Sequence, residues 1–265
     1  MSSNEALISR LEKLKEITES QTSFDSQQAR VILHELKIIL IQKGYLSQDA
    51  DKIDFSERIM YREILELAMI MGVKMQEFGE IQNYFRQLSF YYFENPDLPF
   101  SQRMFTLINV NLLMDLAFNK NDEYLVNLTQ ILASFPKFNS DIKFVLDVER
   151  CLQDNSITKL FKLQLNSPSE LYDVFLQKVI DRIRRNLAKN VMKKTTRLTI
   201  EHLAKLLHFQ NETEMYSFIE SLDWQITENG EIKQKEEEVK ISKSEIDQAK
   251  LNNILSYASR FNSLL

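Results

Sequence analysis

Three histidines and one cysteine are the side chains best suited to metal or nucleophilic chemistry, and their spacing argues against both. His202 and His208 stand six apart, so they do not share a helix face as an i, i+4 metal pair would. His34 is remote in sequence, and no carboxylate cluster flanks any of the three. Cys151 has no histidine near it, and its neighbours Val148 and Leu152 point to a small buried hydrophobe rather than a reactive thiolate. A lone cysteine also excludes an intrachain disulfide and fits a reducing compartment. Phosphate-binding loops need clustered glycines so that backbone amides can approach the ligand, whereas the four glycines here are scattered at 44, 72, 79 and 230. With no zinc spacing, nucleophile motif or paired-carboxylate signature, the expectation is a protein without catalytic residues, metal or cofactor, and not an enzyme.

Binding is the other chemistry that side chains offer. Residues 178–197 carry Lys178, Arg182, Arg184, Arg185, Lys189, Lys193, Lys194 and Arg197 against the single acid Asp181. Such a stretch is either the solvated face of a long helix or a docking face, with Arg182, Arg184, Arg185, Lys189 and Lys193 its candidate contacts. No aromatic residues interleave with the cations to stack bases, so a protein partner is expected ahead of RNA. The whole chain carries a net charge of −5 and is 44% hydrophobic, which supports a real core and shows no global pull toward nucleic acid or anionic membrane. The start MSSNEALISR lacks the apolar core of a secretory signal, and no apolar run approaches the length of a membrane span, so no membrane partner is expected.

The elements that must position a binding surface are clearest at 195–235. Ile200, Leu203, Leu206 and Leu207 recur at helical spacing, then Met215, Phe218, Ile219 and Leu222 form a second apolar face. Asn211, with Glu214 three residues on, reads as the cap between them. The period then changes to two at Trp224 and Ile226, and Asn229-Gly230 suits a two-residue type I′ turn before a return strand begins at Ile232. Helix, helix, strand, turn, strand is the plan of a winged helix. Its second helix holds Glu212, Glu214 and Glu220 and no Lys or Arg, so phosphate would repel it and a protein-binding role is expected.

Upstream, low glycine and proline with abundant Leu, Ile and Phe fit long helices on short loops. Helices are expected at 6–17, from Asp25 onward to a closing Lys43-Gly44, and from Ser56 through Met71, with Gly79 at a joint. An aromatic helix follows through Ile81, Tyr84, Phe85, Leu88 and Tyr92, its stripe a packing surface, and stops before Asn95-Pro96. Residues 101–118 are apolar on nearly all sides and should be central. Helices near 122–133, 140–152, 155–165 and 169–191 complete the run. The fold class expected is mainly α: stacked antiparallel helix pairs of tetratricopeptide-like size over 1–168, then a portion at 169–235 with the long basic helix and the winged helix at 195–235. A polar connector spans 236–243. An amphipathic terminal helix is expected at 244–265, with Leu251, Ile254, Leu255, Ala258, Phe261 and Leu265 on its stripe; it either folds back or docks with helices of other chains.

Helical repeats, a winged helix and a terminal helix together resemble the PCI architecture. Within it, LHELKIILIQKGYL, IQNYFRQLSFYYF, VLDVERCL, IRRNLAKN, LAKLLHFQNETEMYSFIESLDWQI and NNILSYASRFNSLL, in that order, resemble the family of small PCI subunits of the 26S proteasome regulatory particle lid, the non-ATPase subunit twelve family. The small PCI subunits of the COP9 signalosome and of translation initiation factor three share the layout, and some PCI proteins act as nucleic-acid adaptors, for which the basic helix at 178–197 would serve. The resemblance implies a non-catalytic assembly subunit that joins other PCI subunits of the lid and supports lid–base association in ubiquitin-dependent protein degradation, in cytoplasm and nucleus. It further implies that the wing, with Trp224, Ile226 and Ile232, and the terminal stripe of Ile254, Leu255, Ala258, Phe261, Leu264 and Leu265 make the contacts, the latter within a shared bundle of C-terminal helices.

Overall fold

The computed structural model describes residues 3–19, 25–42, 54–95, 97–135, 139–195, 198–209, 211–227 and 230–234. The chain divides after Asn190 into two compact units. The described elements of the first are all helical: α1 Ser3–Glu19, α2 Ser26–Gln42, α3 Phe55–Lys74, α4 Phe78–Ser89, α5 Met104–Ala117, α6 Asn121–Ser134, α7 Asn139–Gln153 and α8 Ile157–Leu165. α9, Asp173–Lys194, crosses the division. The mainly α class expected from composition is the one observed.

Consecutive helices pair, α1 with α2, α3 with α4, α5 with α6 and α7 with α8, and α1, α3, α5 and α7 also touch in succession. That is a stack of helical hairpins. Three of its turns share one construction. After α3, α5 and α7, a residue with left-handed backbone (Gln76, φ 58; Asn119, φ 61; Asn155, φ 49) follows the helix. The next amide then reaches back to a carbonyl in the last turn of the helix: Glu77 N–H to Gly72 at 2.9 Å, Lys120 to Asp115 at 2.9 Å and Ser156 to Cys151 at 2.9 Å. This Schellman closure normally recruits glycine. Here glutamine and asparagine supply it, so glycine scarcity does not cost the chain these tight turns. Gly79 lies inside the first turn of α4 rather than at the joint, which Gln76 makes. The predicted Lys43-Gly44 closure falls outside the described residues.

The sequence faces are largely the buried faces. Asp25 Oδ1 accepts the amides of Gln27 and Gln28, both at 3.1 Å, and Ala29, Leu33 and Leu36 turn inward. On α4, Ile81, Tyr84, Phe85 and Leu88 are buried, and a π-helical turn at Phe90–Glu94 then widens the coil so that Tyr91 and Tyr92 also go in. Asn95 Nδ2 donates to the Phe90 carbonyl at 2.9 Å and ends the segment before Pro96, as expected. Every residue of α5 from Leu107 to Leu116 is buried, which makes it the central helix. Phe135, after α6, gathers the rings of Phe93, Phe100 and Phe105 at 5.7–5.8 Å.

In the second unit α10, Ile200–Leu207, and α11, Glu212–Glu220, precede a hairpin of β1, Trp224–Ile226, and β2, Ile232–Gln234. This is the predicted order. The turn differs. Ile226 pairs with Ile232, and the Thr227 amide donates to Glu231 O at 2.8 Å, leaving three residues in the loop. Gly230, at φ +71, donates to the Thr227 carbonyl at 2.9 Å. A three-residue loop with glycine in the left-handed position replaces the expected two-residue turn; both need glycine at this point of the chain, so the sequence signal was shared. The terminal helix expected at 244–265 and the connector before it lie outside the described residues.

Candidate functional site

The helix–hairpin module holds together through caps and a small core. Thr199 accepts the His202 amide at the start of α10, and His208, in left-handed backbone at φ 54, ends it. Asn211 Oδ1 accepts from the Thr213 amide at 3.1 Å and from its hydroxyl at 2.7 Å, fixing the start of α11. Leu203, Leu207, Met215, Phe218 and Ile219 are buried, and Phe209 and Phe218 meet at 5.2 Å between ring centres. Leu222, half-buried, closes the second apolar face read from the sequence.

The hairpin has unequal edges. β2 pairs with β1 on one side, and on the other the Ile232 amide donates to Leu198 O at 2.8 Å while Thr199 bridges to Glu231. Among the described residues β1 is therefore the edge strand. Trp224 and Ile232 point into the module, 7% and 3% exposed, whereas Ile226 is 38% exposed beside the edge. Of the three wing residues named from the sequence, two anchor the strands and one is available at the surface.

The basic helix is also divided. Arg182 donates to the Leu116 carbonyl at 2.7 Å and to Asn119 Oδ1, so it braces the end of α5, and burial lowers its pKa. Arg184 lies over the Phe161 ring at 5.8 Å and 3.7 Å from Asp181. Lys178 Nζ sits over Phe78 and Phe118, at 4.8 and 5.3 Å from their centres. Arg185, Lys189 and Lys193 are exposed, at i, i+4 and i+8 on one face of α9. The stretch thus resolves into cations that brace the stack and a shorter exposed stripe, a division invisible in a charge count. Ile254, Leu255, Ala258, Phe261, Leu264 and Leu265 lie outside the described residues.

Cys151 is buried, and burial raises its pKa, as expected of a packed thiol. His34 on α2, His202 in the first turn of α10 and His208 at the end of that helix are all exposed. Among the described residues no group of three or more His, Cys, Asp or Glu is placed to hold a metal ion, and no helix is long and apolar enough to cross a membrane. Sequence reading missed the buried polar groups of the stack. Glu66 accepts from Tyr92 Oη at 3.0 Å and Ser101 Oγ at 2.8 Å, with Arg62 Nε 3.6 Å away, and burial raises its pKa. Asp115 accepts from Asn127 Nδ2 at 2.8 Å, and burial pushes it up to about 6. The available signal was a lone acid within an apolar run, in ILELAMIM and NLLMDLAF.

A family model described as the CSN8/PSMD8/EIF3K family matches residues 102–245. The chain is similar to "26S proteasome non-ATPase regulatory subunit 8" of Caenorhabditis elegans, 24% identical over 181 residues that cover 68% of this chain and 72% of that protein. It is 26% identical over 203 residues to "26S proteasome regulatory subunit RPN12" of Saccharomyces cerevisiae, covering 74% of each. With "26S proteasome non-ATPase regulatory subunit 8 homolog A" of Arabidopsis thaliana it shares 24% identity over 236 residues, 86% of each chain.

Proposed function

This chain belongs to the CSN8/PSMD8/EIF3K family, and on that premise we propose that it is a non-catalytic structural subunit of the lid of the 26S proteasome regulatory particle, acting in cytoplasm and nucleus. The observation that carries this reading is that relatives in three organisms, aligned over most of both chains, are each named as 26S proteasome regulatory subunits. The subunit joins its neighbours through two elements. The edge of β1, which pairs with no third strand among the described residues, offers backbone groups for strand addition, with Trp224 and Ile232 anchoring the hairpin from inside and Ile226 supplying apolar contact at the surface. The segment 244–265 adds its stripe of Ile254, Leu255, Ala258, Phe261, Leu264 and Leu265 to a bundle of helices from other lid subunits. Seated in this way, the subunit promotes lid–base association and so the degradation of ubiquitin-tagged proteins. The exposed stripe of Arg185, Lys189 and Lys193 faces an acidic protein surface in the assembly.

The test is affinity purification of the tagged full-length chain from native extract, with mass spectrometry of what is retained, compared with its Phe261→Asp variant. Lid and base subunits are expected with the parent chain and lost with the variant, whose thermal unfolding should be unchanged. Signalosome or initiation-factor subunits in their place would overturn the assembly assigned, and proteins released by nuclease would favour a nucleic-acid adaptor. Loss of the thermal transition in the variant would place Phe261 in the chain's own core.

A further inference from the structure

A groove of about 500 Å³ opens among α10, α11 and the hairpin loop, on described residues of the second unit alone. Ile200, Phe209 and Met215 line it with carbon, and Tyr216 stands beside them 48% exposed. Glu201 and Glu212 line it too, and its described lining holds no lysine or arginine. The charge of the surrounding surface has the same sign: α10 and α11 together expose Glu201, Glu212, Glu214 and Glu220 against Lys205. The side-chain caps at Thr199 and Asn211 hold both helix starts, so the groove is formed before anything enters it.

An apolar trough between carboxylates selects one kind of occupant. An anionic or nucleic-acid ligand is repelled. A neutral apolar helix would cover the carboxylates without pairing them, which desolvates charge at a cost. A lysine or arginine can lay its aliphatic stem on the apolar wall, stack over Tyr216, and keep its charged end beside a glutamate at the wet rim. We propose that this groove docks a basic amphipathic segment of a partner protein, with one apolar anchor against Phe209 and Met215 and cations toward Glu201 and Glu212. The site is separate from the edge of β1 and does not depend on which assembly holds the chain.

The test is a titration of the isolated full-length chain with a fluorescein-labelled helical peptide that carries leucine at every third or fourth position and lysine elsewhere, followed by anisotropy. A matching peptide with glutamate in place of each lysine is run beside it. The lysine peptide should bind and the glutamate peptide should not. Glu201→Lys with Glu212→Lys should weaken binding about ten-fold, and Tyr216→Ser about three-fold. Asp122→Lys with Glu123→Lys on α6 changes the net charge equally and should leave the affinity unmoved. Equal loss in that control pair would reduce the effect to general attraction by an acidic protein and overturn the proposal. So would equal binding of the glutamate peptide. If Phe261→Asp in the full chain raised the affinity, the groove would be the seat of the chain's own C-terminal segment rather than of a partner. Each outcome is read on the isolated chain, so this proposal and the lid assignment fail separately.

Discussion

In the helical stack Glu66 and Asp115 are 2% and 1% exposed, whereas all four glutamates of α10 and α11 face solvent. The stack has enough apolar area to cover most of two helices, α3 and α5, and a polar side chain on their buried turns must find its partners inside. The helix–hairpin module buries eight apolar residues among those described, Leu198, Leu203, Leu207, Met215, Phe218, Ile219, Trp224 and Ile232. That core closes one side of each helix and one face of the hairpin, and among the described residues it leaves a strand edge and a groove open. The difference separates a region that buries its polar groups with their partners from one that keeps its charges at the surface.

The sole tryptophan, Trp224, lies in the module, so its fluorescence reports that region while far-UV circular dichroism is dominated by the stack. Leu112→Ala, at a fully buried position of α5, should cost about 2–5 kcal/mol in urea unfolding followed by circular dichroism. The Trp224 midpoint should stay where it is; an equal shift in both probes would mean that the two regions unfold as one. Glu66→Ala should cost about 2–3 kcal/mol on the same signal, because Tyr92 and Ser101 lose the acceptor they share and Arg62 loses its counter-ion. Glu66→Gln, which keeps an accepting oxygen, should cost less, and equal losses would show that packing rather than polarity governs the site.

Asp115 sharpens the comparison through pH. Its carboxyl titrates near 6 in the folded protein, above the value of about 3.9 of an unfolded chain, so the folded state holds the proton more tightly. The stabilisation is fully present below the unfolded value and is lost as pH rises through 6. Between pH 4 and 7 the parent should therefore lose about 1–2 kcal/mol relative to Asp115→Asn, whose amide stays neutral throughout. Parallel pH profiles would remove Asp115 as the source. The smallest effect is expected in the module, where Gly230→Ala meets open space but must hold φ +71, a cost of about 1 kcal/mol visible in the Trp224 transition alone.

Much of the helix pattern was legible. The faces of α2, α4, α10 and α11, the caps at Asp25 and Asn211 and the stop at Asn95 follow from periodicity and from side chains that bond their own backbone. The turns were less so. Asn119, Asn155 and His208 are of residue types enriched in left-handed backbone and could have been read as helix ends, but Gln76 carries no such signal. It adopts that conformation because the returning helix must pack, and burial across the α3–α4 hairpin outweighs a local backbone cost. The basic stretch shows the same limit at the candidate site. Arg182 and Arg185 are alike in sequence, yet one braces the α5 terminus and the other faces solvent.

Sequence by itself determined the class of this protein: mostly helical, with apolar stripes at period 3.6 that change to period 2 at Trp224, and an acidic second helix unsuited to phosphate. Those properties are local, because each depends on neighbours within a turn or two of the chain. Tertiary structure decided which charges are structural, which strand is the edge and where a groove remains. Each of these depends on residues distant in sequence, as in the approach of Arg182 to Leu116 and of Ile232 to Leu198, and only the packed chain brings such groups within hydrogen-bond reach.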